Sequence, residues 1–350
     1  MLIIGCDFHT RYQQIAMVDN ATGELTERRL EHENGEANAF YRALPKPVRV
    51  GIEATGPMHW FERLLAELGH ELWIGDSAKI RASDLRKQKT DERDAVLILQ
   101  LLLADRFPRI WVPTPEERDL RQLLWHRHKL VRLRTMLGNQ LHFLAMSQGL
   151  CRKKKLFTKV GRGELNSLRL GPWASRRREE LLHLLDQLDP RINELDRAVL
   201  EEAKRREDAL RLMTHPGIGP VNALAFVLTI GPVSRFRRSK QVVSYLGLNP
   251  SEHSSGGKRR LGAISKQGNT MVRWLLIEAA HHTVRFDPDL RQDYQRLKFR
   301  RGNAVAKVAI ARKLAVRMYW MLRSGADYAQ LVRMQGSPDA TLVNANSSLG

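Results

Sequence analysis

The chain opens on two short apolar runs, "MLIIGCDF" and "YQQIAMVD", separated by a few polar residues. Runs of this length, rich in β-branched residues and bounded by turn formers, predict strands. The turn "DNATG" leads to a third, more polar strand, "GELTERRLEH". A fourth follows at "VRVGIEA" and a fifth at "HELWIGD". Between these two the spacing becomes helical: "MHWFERLLAELG" reads as an amphipathic helix ending at Gly69, a suitable C-cap. "TDERDAVLILQLLLADRF" is a second helix. An antiparallel meander followed by alternating helix and strand predicts an α/β domain over residues 1–112. Its order suits an RNase H-like sheet better than a doubly wound one.

From about residue 113 to 208 the pattern is helical only. "PEERDLRQLLWHRHKLVRLRTMLGNQLHFLAMSQGL" begins at Pro115, a good first-turn residue, with acids beside the positive helix end. A second helix is predicted over about 177–210. There Leu181, Leu185, Leu188, Ile192, Leu195 and Val199 alternate four- and three-residue steps. Such a heptad seam predicts an antiparallel hairpin or a coiled-coil dimer, and Pro190 is expected to kink or split it. Residues 209–332 form a third, helical region, and the small polar residues 333–350 are expected to be a disordered tail.

Composition adds a partner. The 350 residues include 58 Lys and Arg against 38 Asp and Glu, a formal net charge of +20. A compact fold with that excess needs a polyanion to neutralise it, which predicts DNA or RNA. Residues 120–163 hold eleven Lys or Arg and no acid, including Arg127, Arg132, Arg134, Lys153, Lys154 and Lys155. A one-signed helical stretch of this kind reads as a nucleic-acid track. Two cysteines are too few for a disulfide framework and lack metal-site spacing, and no run is long enough to span a bilayer. A cytoplasmic, nucleoid-associated protein with no membrane partner is expected.

Four carboxylates carry the candidate chemistry. Alternation puts Ile3, Gly5 and Asp7 on one strand face, and Gly51 and Glu53 on one face of the fourth strand. Each acid follows a glycine by two residues, which is expected to leave room for a metal and a phosphate. Asp91 and Asp94, three apart in "KTDERDA", fall within roughly 60° of each other on a helix. Converging acids repel unless a hard cation joins them. Mg²⁺ suits oxygen ligands, and two ions (Mn²⁺ being the other candidate) form the usual clamp for phosphoryl transfer.

Two further motifs accompany them. "HPGIGP", with Gly217 and Gly219, is a tight turn before an apolar helix and resembles a helix-hairpin-helix grip on a phosphate backbone. Arg235, Arg237, Arg238 and Lys240 follow it. "NPSEHSSGGKRRLGAISKQGN" then sets two serines and two glycines against Lys258, Arg259, Arg260 and Lys266. A linker explains the Ser and Gly but not the cations. No Walker-type loop is present in the sequence.

In this order, Asp7, Glu53, "KTDERDA", "PGIGP" and "YLGLNPSEHSSGGKRRLGAISKQGNTMVRWLLIEAA" resemble the DEDD transposases of the IS110 and IS1111 insertion sequences. The resemblance implies a RuvC-like domain joined by a coiled coil to a transposase domain. It implies that Asp7, Glu53, Asp91 and Asp94 bind Mg²⁺, and that a serine before a glycine bonds covalently to DNA. Ser255 fits that position, with Ser254 its neighbour. It further implies site-specific recombination guided by an RNA from the element's non-coding end, and dimers joining into a tetramer on DNA. A RuvC-like nuclease of the junction-resolvase type, needing the acids but not the serine, is the alternative. A non-catalytic nucleic-acid scaffold is the third reading.

Overall fold

A computed structural model describes residues 1–45, 47–56, 58–83, 90–152, 154–253 and 260–335. The chain divides into two compact units, Met1–Val112 and a second beginning at Pro113.

In the first unit, β1 (Leu2–Phe8), β2 (Tyr12–Asp19) and β3 (Leu25–Glu31) form an antiparallel meander. A short α1 (Glu36–Ala43) leads to β4 (Val48–Glu53), which pairs parallel with β1. Then α2 (His59–Leu68) crosses to β5 (Glu71–Gly75), parallel to β4. The sheet order is β3-β2-β1-β4-β5. After α3 (Ser77–Ala82) comes α4 (Asp91–Leu103), capped by the Thr90 side chain. The helices α1 and α3 have no counterpart in the sequence reading; each spans no more than eight residues, too short for a clear 3.6-residue period.

The sheet is covered on both sides. Ile4, Cys6, Val48, Val50 and Ile52 pack with Phe61 and Leu65 of α2 in one core. Ile3 and Ala16 pack with Ala95, Ile98, Leu99 and Leu102 of α4 in another. Gly69 closes α2 in the left-handed region at φ 71°.

The second unit starts with two 33-residue helices, α5 (Pro115–Ser147) and α7 (Pro172–Lys204), with α6 (Lys159–Asn166) between them. Arg127 meets Asp196 at 2.7 Å and Arg134 meets Asp189 at 3.6 Å, so α5 and α7 run antiparallel. The heptad residues Leu181, Leu185, Leu188 and Ile192 are buried against Leu137 and Leu141. Of the two effects expected of Pro190, a split does not occur: α7 is continuous through it. The ring lies on the exposed side, while Leu188 and Ile192 hold the next turn against α5. The helix also starts earlier and ends earlier than predicted, at Pro172 and Lys204.

The remaining elements are α8 (Glu207–Met213), α9 (Pro220–Ile230), α10 (Ser239–Tyr245), the strands β6 (Pro250–Glu252) and β7 (Leu261–Ile264), α11 (Thr270–Phe286), α12 (Pro288–Arg301), α13 (Asn303–Ser324) and α14 (Tyr328–Gln335). Leu120 and Leu124 of α5 and Val199 and Ala203 of α7 belong to the same core as α9, α11 and α13. Regions 113–208 and 209–332 are therefore packed as one body. The expected tail from 333 begins too early, for residues 333–335 end α14, and its remainder lies outside the described residues.

Candidate active site and nucleic-acid contacts

Helix α4 is laid on the sheet by two glycines. Gly5 and Gly51 are register partners on β1 and β4. A Cβ on Gly5 would lie 2.3 Å from the Ala95 carbonyl oxygen and 2.4 Å from the Leu99 nitrogen. A Cβ on Gly51 would lie 2.6 Å from a Leu102 methyl. The expectation that these glycines leave space for a metal and a phosphate is thus overturned. They are filled by the helix, and their role is to let its backbone touch the strand. The consequence is that the first turn of α4 stands over the end of β1.

That contact gathers part of the predicted site. Asp7, His9 and Asp91 each offer a ligand atom, all within 4.8 Å of one another. His9 Nε2 lies 3.1 Å from Asp7 Oδ2 and 3.4 Å from Asp91 Oδ2. The Tyr12 hydroxyl donates to Asp91 Oδ2 at 2.7 Å. The His9 ring stacks on Tyr12 at 4.6 Å, and the Arg29 guanidinium covers Tyr12 at 3.7 Å. Burial pushes the Asp7 carboxyl above its usual range; His9 opposes this, while Asp94 and Asp91 push it higher. Asp94 therefore acts electrostatically on the same point.

Glu53 ends β4 beside the end of β1, because Cys6 and Ile52, the residues before Asp7 and Glu53, are register partners. It stands outside the three-residue group, and its carboxylate meets Arg81 at 3.3 Å. His9 and Tyr12 were missed by sequence reasoning. Period-two alternation places His9 on the face of Asp7, a usable signal. The Tyr12–Asp91 bond joins residues 79 apart in sequence, which only the fold reveals.

The cluster fits a divalent cation on chemical grounds. Two carboxylates within ligand distance, one buried enough to resist ionising, are relieved by a positive ion. An imidazole as third donor is tolerated better by Mn²⁺, a first-row transition ion, than by Mg²⁺, which prefers oxygen ligands.

In the second unit, "HPGIGP" turns between α8 and α9. Gly217 has φ 87°, and a Cβ there would lie 2.6 Å from Thr283 Oγ1, so both backbone and space require glycine. Gly219 is the N-cap of α9 without a side-chain cap, and Pro220 is its first residue. First-turn N–H groups therefore remain for an anion. The turn is braced from behind. Thr283 Oγ1 donates to the Pro216 carbonyl at 3.0 Å, and the buried His215 ring lies 4.5 Å from Tyr328. Burial lowers His215 to about 4, so it is neutral. Tyr328 donates to Asp287 Oδ2 at 2.8 Å, and Arg317 pairs with the same carboxylate. Burial alone would raise Asp287; the Leu290 N–H, Arg317 and Tyr328 outweigh it and hold the carboxyl low.

A lowered carboxylate contributes stability above its unfolded pKa, and this is lost as pH falls through the folded value. Asp287→Ala leaves Arg317 buried and unpaired, and is expected to cost about 3–5 kcal/mol at neutral pH. Urea unfolding across pH checks this. The gap between wild type and variant should close as pH drops below the carboxylate range.

The predicted cations separate into two groups. Arg127 and Arg134 are paired with α7, and Arg152 and Arg162 with Glu164 and Asp186 at 2.7 and 2.6 Å. Arg235 donates to the Ile230 carbonyl at 2.7 Å, at the end of α9. These side chains hold the unit together, which weakens them as phosphate contacts. Sequence could not show it because the balancing acids lie on another helix. Arg132, Lys154, Lys155, Arg237, Arg238, Lys240 and Lys266 are exposed. Lys154 and Lys266 adopt positive φ, 65° and 57°, uncommon for a residue with a side chain.

Ser254, Ser255, Lys258 and Arg259 lie outside the described residues, as does Lys153. What precedes and follows the serines is held firmly. β6 and β7 pair antiparallel, and the His253 N–H donates to the Arg260 carbonyl at 2.9 Å. This hairpin was not predicted; its strands are three and four residues long. At its base Gly247 and Gly268 have φ 67° and 74°. A Cβ on either would lie 2.0 or 2.1 Å from a carbonyl oxygen of the other loop. The buried Arg273 donates to the Leu246 and Gln267 carbonyls at 3.0 and 2.6 Å.

Comparison with known proteins identifies the family. Residues 4–145 match the DEDD transposase domain model of IS110, and residues 209–295 match the model described as "Transposase IS116/IS110/IS902 family". A "probable family 20 transposase" of Pseudomonas aeruginosa is 32% identical over 330 residues, 92% of this chain and 96% of that protein. The "transposase for insertion sequence element IS1111A" of Coxiella burnetii is 29% identical, covering 93% and 91%. The transposase of IS1328 from Yersinia enterocolitica is 27% identical, covering 79% and 84%. A mixed α/β sheet with an acidic metal-binding site, followed by a largely helical region, is thus that of a DNA-processing enzyme, a transposase. The chain belongs to the IS110/IS1111 family of insertion-sequence transposases. No helix among the described residues is long and apolar enough to cross a membrane.

Proposed function

We propose that this transposase is a site-specific recombinase with an RNase H-like, RuvC-like sheet, which cuts and rejoins DNA through a phosphoserine intermediate at Ser255. The observation that carries the reading is the crowding of Asp7, His9 and Asp91 within ligand distance at the end of β1, with Asp94 acting on Asp7. Asp7, Asp91 and Asp94, with Glu53 on the adjoining strand, hold Mg²⁺, and His9 is a further donor. A bound divalent ion neutralises the acids and polarises a phosphate oxygen. Tyr12 fixes the Asp91 carboxylate. The Ser255 Oγ–H gives its proton to solvent water, a bond forms from Oγ to phosphorus, the bond from phosphorus to a sugar oxygen breaks, and that oxygen leaves and takes a proton back from water. A strand hydroxyl reverses the step on rejoining, so no ATP is required. Lys258, Arg259 and Arg260 supply positive charge for the scissile phosphate, and the exposed Arg237, Arg238, Lys240 and Lys266 hold DNA or guide RNA. Dimers and tetramers on DNA complete the reading.

Denaturing gels of the Ser255→Ala protein with DNA and Mg²⁺ test it. The covalent protein–DNA adduct is expected to vanish while DNA affinity stays within about twofold, because the change removes one hydroxyl and leaves every cation in place. Undiminished cleavage by this variant would instead establish the junction-resolvase type of nuclease. Purification with and without RNase tests the guide: element-derived RNA should accompany the untreated protein.

A further inference from the structure

The corner between α12 and α13 holds an aromatic that the fold does not use. Phe299 is 95% exposed. It lies about 180° around α12 from Leu290 and about 140° from Tyr294, the residues that the helix buries. Its sequence neighbours Lys298 and Arg300 leave the helix about 100° to either side of it and Arg301 about 160° away, all exposed and without an ion pair among the described residues. Their neighbour Arg296 differs, for it meets Asp293 at 2.8 Å, and Lys313 pairs with the same carboxylate. Cations in a last helical turn have a local explanation in the helix dipole. An outward phenyl ring among them has none.

The corner is rigid. The Tyr294 hydroxyl bonds to Asn303 Oδ1, and Gly302 turns the chain at φ 83°. The Ala306 N–H closes the first turn of α13 on the Gly302 carbonyl at 3.2 Å. The backbone that carries the ring and the cations is therefore held in place before any partner arrives.

We propose that this corner is a contact for unpaired DNA: Phe299 stacks on an exposed base, and Lys298, Arg300 and Arg301 hold the phosphates on either side. A flat aromatic accepts any base face, and three free cations match a polyanion. Paired bases hide their faces inside the duplex, so the ring selects gaps, ends and melted segments. Such segments arise whenever a transposase opens DNA strands. The inference does not depend on Ser255, and it holds equally for a protein with that serine replaced.

The test uses the full chain carrying Ser255→Ala and two DNA probes of equal length. One has a short single-stranded gap containing 2-aminopurine; the other is fully paired. Phe299→Ala and Phe299→Leu are each expected to weaken binding of the gapped probe about tenfold and to abolish base-stacking quench of 2-aminopurine. Phe299→Trp should retain both. The fully paired probe should bind all four proteins alike. Replacing Lys298, Arg300 and Arg301 together by alanine should lower the salt slope of log affinity by about 2. Because the side chain is exposed, the melting temperature should not move. Equal affinity of Phe299→Ala and wild type for the gapped probe overturns the proposal. So does an equal loss on the paired probe, or a leucine that serves as well as phenylalanine.

Discussion

Asp7→Asn is expected to reduce DNA cleavage by on the order of 10³-fold while leaving the protein folded, because it removes a charged oxygen from where developing phosphate charge must be balanced. The geometry makes Asp7 the sensitive position. It is the shared neighbour of His9 and the acids on α4, and burial already opposes its ionisation. Asparagine keeps the shape and removes the repulsion from Asp91 and Asp94. The variant should therefore melt no lower than wild type in metal-free buffer. The two should separate when Mg²⁺ or Mn²⁺ is added: an ion that binds the folded state raises its melting temperature, and the rise should be smaller for the variant. Single-turnover cleavage and thermal unfolding with and without the ion measure the two effects. A variant that cleaves within tenfold of wild type would remove Asp7 from the chemistry.

Gly5→Val should be equally damaging by a different route. A Cβ at this position meets the backbone of α4 at 2.3 and 2.4 Å, and the backbone cannot rotate aside as a side chain can. The helix must lift from the sheet, exposing Ala95, Ile98 and Leu99, which are buried now. A loss of more than about 3 kcal/mol from the first unit is expected. Activity should fall even under conditions where the chain stays folded, because Asp91 and Asp94 ride on the displaced helix. Gly51→Ala is the milder control: its Cβ meets a Leu102 methyl, the end of a movable side chain. Urea unfolding and cleavage assays of the pair should rank Gly5→Val far below Gly51→Ala.

These two cases show where sequence reading succeeds and where it stops. The five strands and the helices α2 and α4 of the first unit follow from local periodicity, and so do the faces of Asp7 and Glu53. Alternation is a property of neighbouring residues and needs no knowledge of the fold. The purpose of Gly5 and Gly51 is non-local. The same glycine next to an acid can admit a ligand or a helix, and only the packing distinguishes them. Tyr12 belongs with Asp91 for a similar reason, since β2 and α4 are brought together by the sheet alone. In the second unit the basic stretch 120–163 appeared uniformly available to phosphates. Antiparallel packing of α7 removes several of its arginines, by supplying acids that the local sequence lacks. Pro190 is the converse case. A local rule for breaking a helix is overridden by Leu188 and Ile192, whose burial against α5 outweighs one lost backbone hydrogen bond.

The sequence by itself determined the class of the protein: four acids in order, the "PGIGP" turn, the serine-bearing stretch and a charge of +20. Those are matters of residue type and spacing, which a chain carries whether folded or not. The tertiary structure decided which of these groups meet. It set Asp91 over Asp7 through a glycine too small to hold the helix away, and it added His9 and Tyr12. It also divided the cations into those that bind the protein to itself and those left facing outward. Contact between distant segments depends on what each surface excludes, and that is settled only when the chain is packed.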